Sequence, residues 1–214
     1  MALASRVHAT APLDVLAALT LLAVLPFALV TCTSFVRIIV VLSLVRSAIG
    51  ASALPPNAVL SALALVLTVV VMTPTLRQIH RDAVEPYARG RLSQAQALSR
   101  AAIPLETFMR RQARVADIAL FGRIAHEAPA PSWRASFDVL VPAFVVGELR
   151  SAFAIGFALY LPFVAIDLAV AAILMGLGMM MLSPPVVSLP VKLLLFIMVD
   201  GWALVCGGVA ASFR

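Results

Sequence analysis

The sequence predicts an all-α, membrane-associated protein built from kinked helical hairpins with a polar helical insert. Three observations carry that prediction. Hydrophobic residues make up 63% of the chain and charged residues only 12%, a balance outside the range of soluble domains. The apolar runs are as long as a membrane span needs, about 20 residues. Prolines and a single strongly charged stretch punctuate those runs.

The first element is the apolar stretch LDVLAALTLLAVLPFALV (13–30), which contains Pro26 and continues through TCTSFVRIIVVLSLV to Val45, interrupted by Arg37. It exceeds one perpendicular span, so it reads as one kinked helix or as two. One arginine precedes it and no small-residue cleavage site follows, so a removed signal peptide is not expected. After the breaker ALPPN (53–57), the run AVLSALALVLTVVVMTPTL (58–76) closes a first hairpin, giving an N-terminal unit over 1–76. Residues 77–138 form the polar insert: the stretch 77–134 holds ten of the sixteen basic residues and five of the ten acids. Within it LSQAQALSRA (92–101) and the stretch 105–128 carry apolar residues at helical spacing, and Pro104 with Leu105 and Glu106 fits a helix start. The C-terminal unit, 139–214, is apolar but holds Pro142, Pro162, Pro184, Pro185 and Pro190, which predict shorter broken helices.

That last unit also carries Glu148, Arg150, Asp167, Lys192 and Asp200. A charge at the centre of a lipid-facing helix costs at least about 2.5 kcal/mol, so these helices are expected to face protein or water over much of their surface. Glu148 and Arg150 are too close in sequence to share a helix face, and each needs a partner on another helix or another chain. Asp167 and Lys192 flank the segment GMMMLSPP (178–185) and can pair if it folds back as a hairpin. Met179, Met180 and Met181 then lie at the hairpin tip, where unbranched, polarizable side chains can repack around a changing guest. The residues alone equally allow core or lipid-facing methionines there.

Catalytic and metal chemistry find no support. His8, His80 and His126 stand apart without an HExxH pattern, there is no nucleophile elbow or phosphate loop, and Cys32 and Cys206 lie in separate apolar runs as small hydrophobes. The reading is a non-enzyme without cofactors. The basic insert lacks aromatic interleaving, which excludes nucleic acid and favours phospholipid headgroups or an acidic partner. Glu148 and Asp167 leave open a rival reading, a proton-coupled secondary transporter.

Three blocks in order, TSFVRIIVVLSLVRSAIG (33–50), LPPNAVLSALALVLTVVVMTP (54–74) and the stretch 139–202, resemble the SctR/FliP export-apparatus proteins of bacterial type III secretion systems, on the injectisome side (the YscR/HrcR type). The resemblance implies a core subunit of an export gate in the bacterial inner membrane, held partly on the periplasmic side, through which unfolded secreted polypeptides pass. It implies a homopentamer assembled with SctS/FliQ-like and SctT/FliR-like proteins and an SctU/FlhB-like switch protein, in contact with membrane lipids. It assigns a pore gasket to Met179, Met180 and Met181, and subunit contacts to Glu148, Arg150, Asp167 and Lys192. The insert is the part least like the family.

Overall fold

A computed structural model of the chain describes Leu19, Ala23 and residues 26–50, 55–127, 135–179 and 181–213. Among these residues all regular structure is helical. The N-terminal reading, including His8, lies outside them.

The first apolar run is two helices, α1 (Pro26–Cys32) and α2 (Phe35–Ile49), bent by 76° at Thr33–Ser34. Gly50, with φ +85°, closes α2 in the left-handed conformation. Helix α3 (Asn57–Ile79) does not stop at the expected edge of the insert. It runs on through a π-turn (His80–Val84) into α4 (Glu85–Ala88), so the insert grows out of a continuous helix. Helix α5 (Gln94–Gln112) returns alongside. Ser93 and Gln96 form a capping box at its start, the side chain of each accepting from the backbone N–H of the other. Pro104 therefore does not start a helix, as expected from the sequence, but sits buried in the middle of α5. The S-x-x-Q pattern at Ser93 was the stronger signal. Helix α6 (Val115–Ile124) follows an extended residue, Ala113.

Helix α7 (Phe137–Gly176) is the largest correction to the sequence reading. Pro142 and Pro162 lie inside one 40-residue helix instead of cutting it. Pro190 likewise lies inside α8 (Pro184–Met198), while Pro184 and Pro185 occupy its first turn, where a missing N–H costs nothing. Each interior proline frees one backbone carbonyl, a loss that long apolar helices tolerate when neighbours hold them straight. Helix α9 (Gly201–Ala211) follows a 65° bend at Val199–Asp200. Asn57–Ala88 and Phe137–Gly176 are long and apolar enough to cross a membrane, and each of the two bent pairs could form one more span.

The packing centres on α2 lying along α7. Gly156 permits the contact: a Cβ there would fall 2.3 Å from Leu44 Cδ1. One core cluster joins Ile38, Val41, Leu42 and Val45 of α2 to Leu60, Ala152, Phe163, Phe196 and Val205. A second gathers Cys32, Met109, Ile118, Leu140 and Phe144 under the insert. Cys32 is buried as expected, whereas Cys206 is only half-buried, and both are free thiols. His80 and His126 are exposed.

Candidate functional site

Along both α2 and α7, the boundary between the two apolar clusters is occupied by charge. Arg37 of α2 and Glu148 of α7 are 4% and 0% exposed and form a two-pronged ion pair, with Arg37 Nε donating to Glu148 Oε2 at 2.8 Å and Nη2 to Oε1. Arg37 Nη1 donates to the Ser212 carbonyl at 2.9 Å and to Ser212 Oγ at 3.0 Å, and Nη2 also donates to Gln112 Oε1 at 3.1 Å. These five contacts match the five N–H donors of a guanidinium. The ring of Phe213 stacks on its face, with the guanidinium carbon 3.9 Å from the ring centroid. One side chain thus ties together α2, α5, α7 and the end of α9. Sequence reasoning treated Arg37 only as an interruption; a lone arginine in an apolar run was the available signal.

Arg150, facing away from Glu148 as expected, reaches the insert. Its two terminal nitrogens donate to the two carboxylate oxygens of Asp117 on α6, both at 3.0 Å. Asp117 is 5% exposed and Arg150 46% exposed. Glu148 and Arg150 therefore fasten different neighbours of α7, α2 and α6.

At the far end of α7 the hairpin does fold back. Lys192 of α8 lies 2.5 Å from Asp167 Oδ2, and its ammonium also donates to the Ala48 carbonyl at the end of α2, at 3.3 Å. Ser188, absent from the expected set, donates to Asp167 Oδ1 at 2.5 Å. Lys192 is 7% exposed and Asp167 32% exposed. The clasp thus joins α7, α8 and the last turn of α2, with one side open.

Beyond the clasp, α7 continues from Asp167 to Gly176 and α8 begins at Pro184, so the hairpin projects about 14 Å further, at about 1.5 Å per residue. Its turn is specified locally. The N–H of Met179 donates to the Leu174 carbonyl and that of Gly178 to the Met175 carbonyl, the paired bonds of a Schellman motif, with Gly178 at φ +73°. Met179 and Met181 are exposed, Met181 completely so, while Met180 lies outside the described residues. Met175, Leu177 and Val186 extend this apolar surface. The tip is therefore a set of unpacked, flexible apolar side chains on a fixed turn. Among the described residues no cluster of His, Cys, Asp or Glu could hold a metal ion.

A model of the FliP family matches residues 18–209. The chain is 48% identical over 206 residues to the flagellar biosynthetic protein FliP of Pectobacterium carotovorum subsp. carotovorum, covering 95% of this chain and 80% of that one. It is 46% identical to the protein of the same name in Cereibacter sphaeroides, over 94% of this chain and 67% of that one. With that of Bacillus subtilis (strain 168) it shares 42% identity, over 91% and 89%. The match spans Arg37 and Glu148 of the hub, the clasp and the methionine tip, and the chain belongs to the FliP family.

Proposed function

We propose that the chain is a structural subunit of a bacterial protein-export gate, whose methionine tips close a channel in the inner membrane around unfolded polypeptides. The observation that carries this reading is the tip itself: Met179 and Met181 stand exposed on a turn braced by the Asp167–Lys192 clasp instead of filling a core. A ring of such tips, from a homopentamer completed by FliQ-like, FliR-like and FlhB-like proteins, would seal by dispersion contacts that can be remade around any passing side chain. Arg150 and Asp167 reach the surface and can meet a neighbouring subunit. Glu148 and Lys192, buried within the chain, serve assembly by holding the helices that present that surface.

The relatives above carry flagellar names, which favours a flagellar export system over the injectisome branch expected from the sequence. Restored swimming in a strain lacking its own FliP would support the flagellar branch; secretion restored only in an injectisome mutant would support the other. A proton-coupled transporter needs carboxylates free to exchange protons, and Glu148 and Asp167 are each held by a cation of the same chain.

The test of the gate is the triple substitution Met179→Ala, Met180→Ala and Met181→Ala. The complex is expected to assemble with unchanged native mass, while the membrane becomes leaky to small ions. An assembled complex with unaltered conductance would overturn the gasket.

A further inference from the structure

A cavity of about 550 Å³ opens between α3, α5 and α9, within the size range of small-molecule sites. Its apolar walls are Val70, Val71, Phe108, Gly207, Ala210 and Phe213. Along α3 the lining changes from Val70 and Val71 to Thr75 and Gln78, and α5 adds Thr107 and Arg111. Two of the walls, α3 and α9, belong to segments apolar enough for a membrane, and the third is the basic insert. The cavity therefore lies where membrane helices meet the polar part of the chain.

The charges of the insert sharpen the picture. The five acids of the stretch 77–134 are engaged: Asp82 with Arg81, Glu85 with Arg89, Glu106 with Arg110, Asp117 with Arg150, and Glu127 with Ser136. Arg111, on the cavity wall, is exposed and has no carboxylate partner among the described residues. Arg77, next to Gln78 on α3, is exposed and likewise without one. An uncompensated guanidinium beside an apolar cleft is complementary to an amphiphile with an anionic head, and guanidinium forks suit phosphate oxygens.

We propose that this cavity binds an anionic phospholipid, its acyl chain against Val70, Val71 and Phe108 and its phosphate on Arg111. The site is separate from the methionine tip and does not depend on the tip closing a pore. It gives the general expectation of lipid contact a defined location on the α3–α5–α9 face.

The test uses the detergent-extracted complex and native mass spectrometry, with phosphatidylglycerol as the probe and phosphatidylcholine as the control. The wild-type complex is expected to retain phosphatidylglycerol through a delipidating wash and to lose phosphatidylcholine. Arg111→Gln should lower phosphatidylglycerol retention at least about tenfold, the effect of losing about 1.4 kcal/mol. Gly207→Leu should lower retention by projecting into the cleft, since a Cβ at Gly207 meets nothing within 4 Å and the fold can accept it. Equal retention by both variants and the wild type would overturn the proposal. So would efficient disulfide cross-linking between subunits through cysteines placed at positions 111 and 207, which would show that a second copy fills the cleft.

Discussion

Replacing Glu148 with alanine tests whether the Arg37 hub is what fixes the helices of this chain. The substitution removes both carboxylate acceptors from a guanidinium that is 4% exposed, leaving Ser212 and Gln112 to satisfy three of its five donors. Breaking a buried pair by removing one partner costs about 3–5 kcal/mol, because the surviving charge stays desolvated. At about 2–4 °C per kcal/mol for a chain of this size, the thermal midpoint should fall by about 6–20 °C. The assay is thermal unfolding of the purified protein in one mild detergent, followed by loss of monodispersity and by tryptophan fluorescence. Glu148→Gln keeps one acceptor oxygen and should lie between wild type and Glu148→Ala. The double substitution Arg37→Met with Glu148→Leu removes both charges and fills the volume, so it should recover most of the lost stability. A Glu148→Ala protein melting within about 2 °C of wild type would refute the reasoning, as would a double variant less stable than either single one.

Three smaller perturbations follow from the same geometry. Ser188→Ala removes a hydrogen bond to a carboxylate and should cost about 1.5–3 kcal/mol, read in the same melting assay as a drop smaller than that of Glu148→Ala. Asp167→Asn strips the counter-charge from Lys192 but leaves the Ala48 carbonyl, and limited proteolysis should find new cleavage between Gly176 and Pro184 before any loss of the α2–α7 core. Gly156→Ala places a methyl 2.3 Å from Leu44 Cδ1, forces α2 from α7 at about 1–3 kcal/mol, and should be relieved in part by adding Leu44→Ala, which leaves only the Leu44 Cβ contact at 3.0 Å.

How much of this was legible in the residues depends on the kind of signal. Hydropathy located every apolar helix, because burial and lipid exposure demand the same residue types. It could not locate helix ends inside apolar runs, since a proline is read there without its neighbours. Pro142 and Pro162 stay within α7 because packing against α2 holds the helix, a long-range fact that local propensity does not contain. The Asp167–Lys192 pair was readable because a hairpin turn brings known positions together. Arg37–Glu148 was not, because 111 residues separate its members and no local rule chooses among the available cations. Ser188 escaped notice for a different reason: one hydroxyl in an apolar helix has no pattern, only a position one turn before Lys192.

The buried hub and the clasp differ in exposure, and that difference would suit the proposed gate, held firm at one end and yielding at the other. At the hub both charges are sealed, so the surrounding medium cannot screen them and any motion of α2 against α7 exposes an unpaired charge to a low dielectric. At the clasp Asp167 is a third open to its surroundings, which lowers the cost of stretching its contact with Lys192. Helix α7 connects them: at about 60 Å it is twice as long as a bilayer core of about 30 Å is thick, so a single lipid span cannot contain it. In the proposed gate, displacement at the tip is carried by the projecting hairpin and its half-open clasp, while the hub holds α2, α5, α7 and α9 together. Loosening the clasp should accordingly free the tip: Ser188→Ala removes the buried hydroxyl that donates to Asp167 Oδ1 and leaves the Lys192 contact in place. If yielding of the clasp is needed for passage, Ser188→Ala should speed secretion of bulky substrates even though it lowers the melting midpoint. Secretion and melting that fall together would show instead that the clasp serves only to hold the fold.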